Sequence, residues 1–130
     1  MGLDMYLYGV KVSFQNHDYN IGGKIDGTEI GYWRKSNQIH KWFVDNCQGE
    51  IDDCRDHAVY HEDLKTLKKR CEEVLENPKE ANNILPTQGG FFFGSTEYDE
   101  YYFDDLKYTI EIIDWALSQD FDYFLYCSSW

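Results

Sequence analysis

The chain has 130 residues, 42% of them hydrophobic and 18% aromatic, which suffices for one domain with a real core and excludes an intrinsically disordered chain. Its formal net charge of −12 disfavours direct, non-specific nucleic-acid binding, which needs basic groups to displace counterions from phosphate. No apolar run approaches the roughly 20 residues that span a bilayer, and the opening MGLDMYLYGV has neither a signal peptide's basic start nor the Ser or Thr at position six that myristoylation wants, so a cytoplasmic protein is expected.

In chain order, Leu3–Phe14 alternates and is rich in β-formers. A turn-prone segment, Asn16–Gly23, and a short strand near Lys24–Gly27 would complete a hairpin. After the YWRK block, Ser36 or Asn37 can cap a helix over Ser36–Cys47 with Ile39, Trp42 and Phe43 on one face. Gly49–Asp56 reads as an acidic loop and His57–Tyr60 as a short extended piece. Glu62–Glu76 repeats Leu64, Leu67, Cys71 and Val74/Leu75 at helical spacing and ends before Pro78. Leu85–Glu97 is irregular or partly extended. Asp99–Ser118 is the longest helix, with a stripe of Phe103, Leu106, Ile110, Ile113 and Leu117 and an acidic first turn that suits the helix dipole. Phe121–Cys127 is a final strand whose natural mate is the N-terminal strand. The expected class is α+β: a small antiparallel sheet of N-terminal hairpin and C-terminal strand, packed on one side by about three helices, in a single domain over residues 1–130.

Charge is unevenly spread. Residues 1–60 sum to −3 and residues 61–130 to −9, so the second half is the part suited to a basic partner. Four cysteines in a cytosolic setting are expected as thiols.

Four constellations bear on function. Tyr32, Trp33, Arg34 and Lys35, followed by His40, combine a cationic pair with aromatics near a helix N-terminus, a chemistry that can hold phosphate or a nucleotide; the alternative is an aromatic core with locally paired bases. Cys47, Cys54, His57 and His61 are zinc-compatible types, but the tight C-x2–4-C pair of structural zinc sites is missing. Glu97, Asp99, Glu100, Asp104 and Asp105 could share acid and base roles or bind Mg²⁺, or form an ordinary solvated helix start. Between Gly90 and Gly94, three successive phenylalanines cannot all point into one core, so an outward ring, Phe92 or a neighbour, needs a cover. That cover could be the Tyr32–Lys35 block, with its bases facing the acids that follow Tyr98. No phosphate-loop or nucleophile-elbow pattern is present.

The blocks MGLDMYL, EIGYWRKSNQIHKWF, IDDCRD, LPTQGGFFFGSTEYDEYYFDDLKYTIEII and the ending SSW make the chain resemble a family of small proteins encoded by bacteriophages and prophages. Some relatives carry the label phosphoglycerate kinase, which is rejected because that enzyme is a two-domain protein several times longer. The resemblance implies an accessory role inside a bacterial host and supplies no catalytic residues. The expected function is therefore an acidic binding protein acting against host defence. It would either inhibit a nucleic-acid-binding effector such as a CRISPR complex or sequester a nucleotide signal. The alternative is a small enzyme on a phosphorylated or nucleotide substrate, with Arg34 and Lys35 holding phosphate and Glu97, Asp99 or His40 as base or metal ligand. The binding residues nominated are Tyr32, Trp33, Arg34, Lys35, His40, Phe92, Glu97, Tyr98, Asp99 and Glu100, with no cofactor and with a basic host protein or a small anionic ligand as partner.

Overall fold

The computed structural model describes residues 2–11, 27–90 and 93–130. Among these described residues four strands, β1 (Asp4–Val10), β2 (Gly27–Arg34), β3 (His57–Val59) and β4 (Tyr123–Ser129), form one antiparallel sheet in the order β2-β1-β4-β3. The C-terminal strand pairs with the N-terminal one as the sequence predicts, Asp4 opposite Ser129 and Val10 opposite Tyr123. Alternation sorts each strand: Met5, Leu7, Phe124 and Tyr126 are buried, while Tyr6, Tyr8 and Leu125, at the alternate positions, are only half-buried. The predicted turn Asn16–Gly23 and most of the predicted second strand lie outside the described residues. The observed second strand begins at Gly27 and takes in the YWR of the YWRK block. Its ladder skips one residue: Gly31 faces Leu7 and Glu29 faces Tyr8, so Ile30 is an inserted bulge residue. Bare Gly31 admits the Ile112 side chain, which would meet a Cβ there at 3.0 Å.

The helices are α1 (Asn37–Cys47), α2 (His61–Glu76), a single turn α3 (Ala81–Ile84) after a 3₁₀ turn at Pro78–Glu80, and α4 (Glu100–Ser118). In α2 the predicted residues Leu64, Leu67, Cys71 and Val74 are buried. In α4 the buried set is Tyr102, Leu106, Thr109, Ile112, Ile113 and Ala116, whereas Phe103, Ile110 and Leu117 of the predicted stripe are only half-buried. That rotation has a physical cause, because Thr109 is drawn inward: its Oγ1 accepts a 2.9 Å hydrogen bond from buried Trp33 Nε1. α1 is buried over most of its length, and Phe43 stacks on Tyr126 with ring centroids 4.0 Å apart. At the β2 edge of the sheet, the Tyr32 N–H donates to the Tyr108 hydroxyl of α4 at 3.5 Å. Among the described residues no helix is long and apolar enough to cross a membrane.

Candidate functional site

A cleft of about 280 Å³ opens where β2 passes into α1 and where the 93–99 segment runs into α4. The β2–α1 side contributes Arg34, Lys35 and Gln38; the 93–99 segment contributes Gly94, Ser95, Glu97 and Asp99; and α4 contributes Tyr101, Tyr102 and Asp105. The YWRK block and the acidic stretch, far apart in sequence, are thus brought together around a concavity.

Local backbone conformation makes this junction possible. Lys35 adopts φ 57°, a left-handed conformation that turns the chain from strand to helix, and its N–H donates to the Leu3 carbonyl at 2.7 Å. Gly94 has φ 84° and passes so close that a Cβ would meet the Lys35 Cβ at 3.0 Å. Buried Asn37 ties the segment down. Its Nδ2 donates to the carbonyls of Phe93 (3.0 Å) and Ser95 (2.9 Å), and its Oδ1 accepts from the Gln88 N–H (3.0 Å). Tyr102 donates its hydroxyl to the Leu85 carbonyl at 2.7 Å. Neither Asn37 nor Tyr102 was a nominated residue; the only signal was a polar residue placed at a helix start beside an apolar run.

The charged groups of the cleft fall into two kinds. Some are already engaged: Arg34 Nη1 donates to Asp4 Oδ1 at 3.1 Å, the Tyr32 hydroxyl donates to the same oxygen, and Asp99 Oδ1 caps α4 by accepting from the Tyr102 N–H at 3.1 Å. Others are not: among the described residues neither Lys35 nor Glu97 makes a side-chain ion pair. Asp105 is intermediate. Burial raises its carboxyl above the ordinary aspartate range, opposed by hydrogen bonding from Ser36 and Gln38 at the start of α1. Apart from that pull on Asp105, the Ser36 Oγ is buried without a hydrogen-bond partner among the described residues.

The other nominated residues lie elsewhere. Trp33 is core, 2% exposed, and its indole N–H is spent on Thr109. His40 is fully buried: Nδ1 sits 2.6 Å from the Tyr126 hydroxyl and Nε2 2.9 Å from Asp52 Oδ1. The one self-consistent pattern has Tyr126 donating to Nδ1 and neutral His40 donating from Nε2 to Asp52, in keeping with a pKa pushed down by burial against the pull of Asp52. Phe93 packs edge-on against His40, 5.4 Å between centroids. Tyr98 packs on Tyr102 and donates to Asn82 Oδ1 at 2.8 Å, supporting the segment from behind. Glu100 is exposed in the first turn of α4, and Phe92 lies outside the described residues.

The zinc-compatible set does not converge. His57 hydrogen-bonds Asp53 at 2.6 Å, His61 packs on Phe124, and among the described residues no cluster of His, Cys, Asp and Glu is arranged to hold a metal. All four cysteines are free thiols. Burial pushes Cys47 and Cys71 up to about 12 and Cys127 up to about 11, so these thiols are the reverse of activated. Comparison with protein-family models, curated proteins and solved structures returned no match.

Proposed function

We propose that this chain is a non-catalytic binding protein that receives a cationic side chain of a basic partner in the cleft between β2 and α4. The observation that carries the reading is the charge balance of the cleft: Glu97, Asp99 and Asp105 face it, while of its two cations Arg34 is already held by Asp4. An arginine entering there would meet carboxylate oxygens in a fork it can match and could lie against the exposed ring of Tyr101. A protein that holds nucleic acid in a basic groove is the partner class that fits best. The resemblance to phage-encoded proteins suggests that such a partner belongs to host defence, a CRISPR effector being one example, met in the bacterial cytoplasm.

Two other readings have less support. A small anion or nucleotide signal would need the α1 N-terminus, where the protein's own Asp105 already sits beside Ser36 and Gln38. A small enzyme would need a base, but His40 is closed into the core and Asp99 is occupied in capping α4. The test is calorimetric titration of the whole chain with an oligo-arginine peptide. Binding should weaken steeply as salt rises to about 0.3 M, and Glu97→Gln with Asp105→Asn should lower affinity about tenfold, which corresponds to about 1.4 kcal/mol. Turnover of a phosphorylated small molecule that is lost on replacing Arg34 would overturn the reading in favour of an enzyme.

A further inference from the structure

Outside the cleft, the outer side of α4 carries a row of exposed aromatic rings. Tyr101, Tyr108 and Trp115 recur at seven-residue spacing and are 72%, 41% and 48% exposed. Seven residues is close to two helical turns, so the three rings line up in a strip about 21 Å long. Aromatic side chains of this size, left open in a row, are the residue types that anchor interfaces. Two of the rings are steadied by the fold and still keep an open face: Tyr108 packs edge-on to Trp33 while its hydroxyl accepts from the Tyr32 N–H, and Trp115 leans on Phe121. Acid borders the strip. Asp104 and Glu111 are exposed beside it, and Asp114 lies further round the helix, paired with Lys68 of α2; Lys107 is the one basic residue of α4. The strip also begins at the cleft, since Tyr101 lines both.

We propose that this face of α4 docks an amphipathic helix of a partner protein whose apolar stripe is flanked by arginine or lysine. The proposal rests on the binding function inferred above and gives that partner a secondary structure and a second point of contact. Charge complementarity selects the occupant. A second copy of this chain would pair antiparallel about Tyr108, and a two-fold axis brings each flank of the strip against the same flank of the copy. Asp104 would then face the copy's Glu111, and Glu111 the copy's Asp104, between chains that each carry −12. A basic helix meets the same carboxylates with opposite charge and buries the three rings.

The probe is a synthetic amphipathic helix with a leucine stripe flanked by arginines, and a counterpart flanked by glutamates, titrated against the whole chain by calorimetry. The arginine peptide should bind and the glutamate peptide should not. Trp115→Ser and Tyr108→Ser should each weaken binding at least tenfold with the far-UV circular dichroism unchanged. Charge reversal by Asp104→Lys with Glu111→Lys should transfer binding to the glutamate peptide. Glu97→Gln separates this proposal from the cleft reading. Loss at Glu97 with none at Trp115 or Tyr108 would overturn the docking strip and leave the cleft standing. The converse would retain the strip and remove the cleft. Equal binding of both peptides, or a dimer in sedimentation that Tyr108→Ser abolishes, would also overturn the proposal.

Discussion

Lys35 and His40 are close in sequence, flank the start of the same helix, and live in opposite environments. His40 is enclosed by Tyr126, Asp52 and Phe93, with both ring nitrogens engaged. Lys35 sits in a strained left-handed conformation at the lip of a cleft whose acids outnumber its cations. A closed polar network rigidifies a core and leaves nothing over for a ligand, whereas an open one leaves interaction energy for a partner. The difference assigns a structural part to the first cluster and leaves the binding part to the second, although the residue types alone nominate both for binding.

The most severe way to break the contrast is His40→Ala. It removes a buried ring and orphans the Tyr126 hydroxyl, and urea unfolding should show a loss of about 3 kcal/mol. Lys35→Ala, by the same measurement, should stay within about 0.5 kcal/mol of the parent. A pH series sharpens the point. Because burial depresses the pKa of His40 in the folded state, its contribution is complete above the unfolded value of 6.5 and drains away as pH falls from there toward the folded value. Asp53, depressed by its hydrogen bond from His57, holds its contribution until pH falls below the unfolded value of 3.8. Acid unfolding should therefore begin with a decline as pH falls below 6.5, and His40→Gln should flatten that first decline while leaving the later one.

Gly94→Ala tests the lip of the cleft. A left-handed φ and a 3.0 Å approach to Lys35 Cβ make a cost of about 1 to 2 kcal/mol the expected result. Adding Lys35→Gly removes the atom that is struck, so the pair should be less damaging than the sum of its parts. The smallest effect is expected at Asp105. Its pKa is raised by burial, so its ionised form opposes folding as pH rises through the folded value, and Asp105→Asn should slightly raise the melting temperature at neutral pH while weakening the arginine peptide. An unchanged affinity would remove Asp105 from the binding surface.

The sequence made the secondary structure legible wherever periodicity ran long. Leu64, Leu67, Cys71 and Val74 announce α2, and the alternation around Met5 and Leu7 announces β1. It misjudged α4 by part of a turn because Thr109 is polar by type and buried by partnership with Trp33, a contact between residues distant along the chain. His40 was misassigned for the same reason: its partners Tyr126 and Asp52 arrive from β4 and from the acidic loop. The meeting of the YWRK block with the acids after Tyr98 was anticipated from charge, but the tie that enforces it, Asn37 to Phe93, Ser95 and Gln88, depends on backbone groups that carry no side-chain signature.

The hydrogen bond from the Tyr32 N–H to the Tyr108 hydroxyl has a consequence for how the protein survives at high concentration. Among the described residues β2 is an outermost strand, and an outermost strand is a template on which another chain can lengthen the sheet. The phenol occupies one of the backbone donors that such growth requires, and the bulge at Ile30 throws the ladder out of step beside it. At the far side of the sheet, β3 is only three residues long. A tyrosine-rich sheet can thus stay at high concentration without becoming the seed of a fibre.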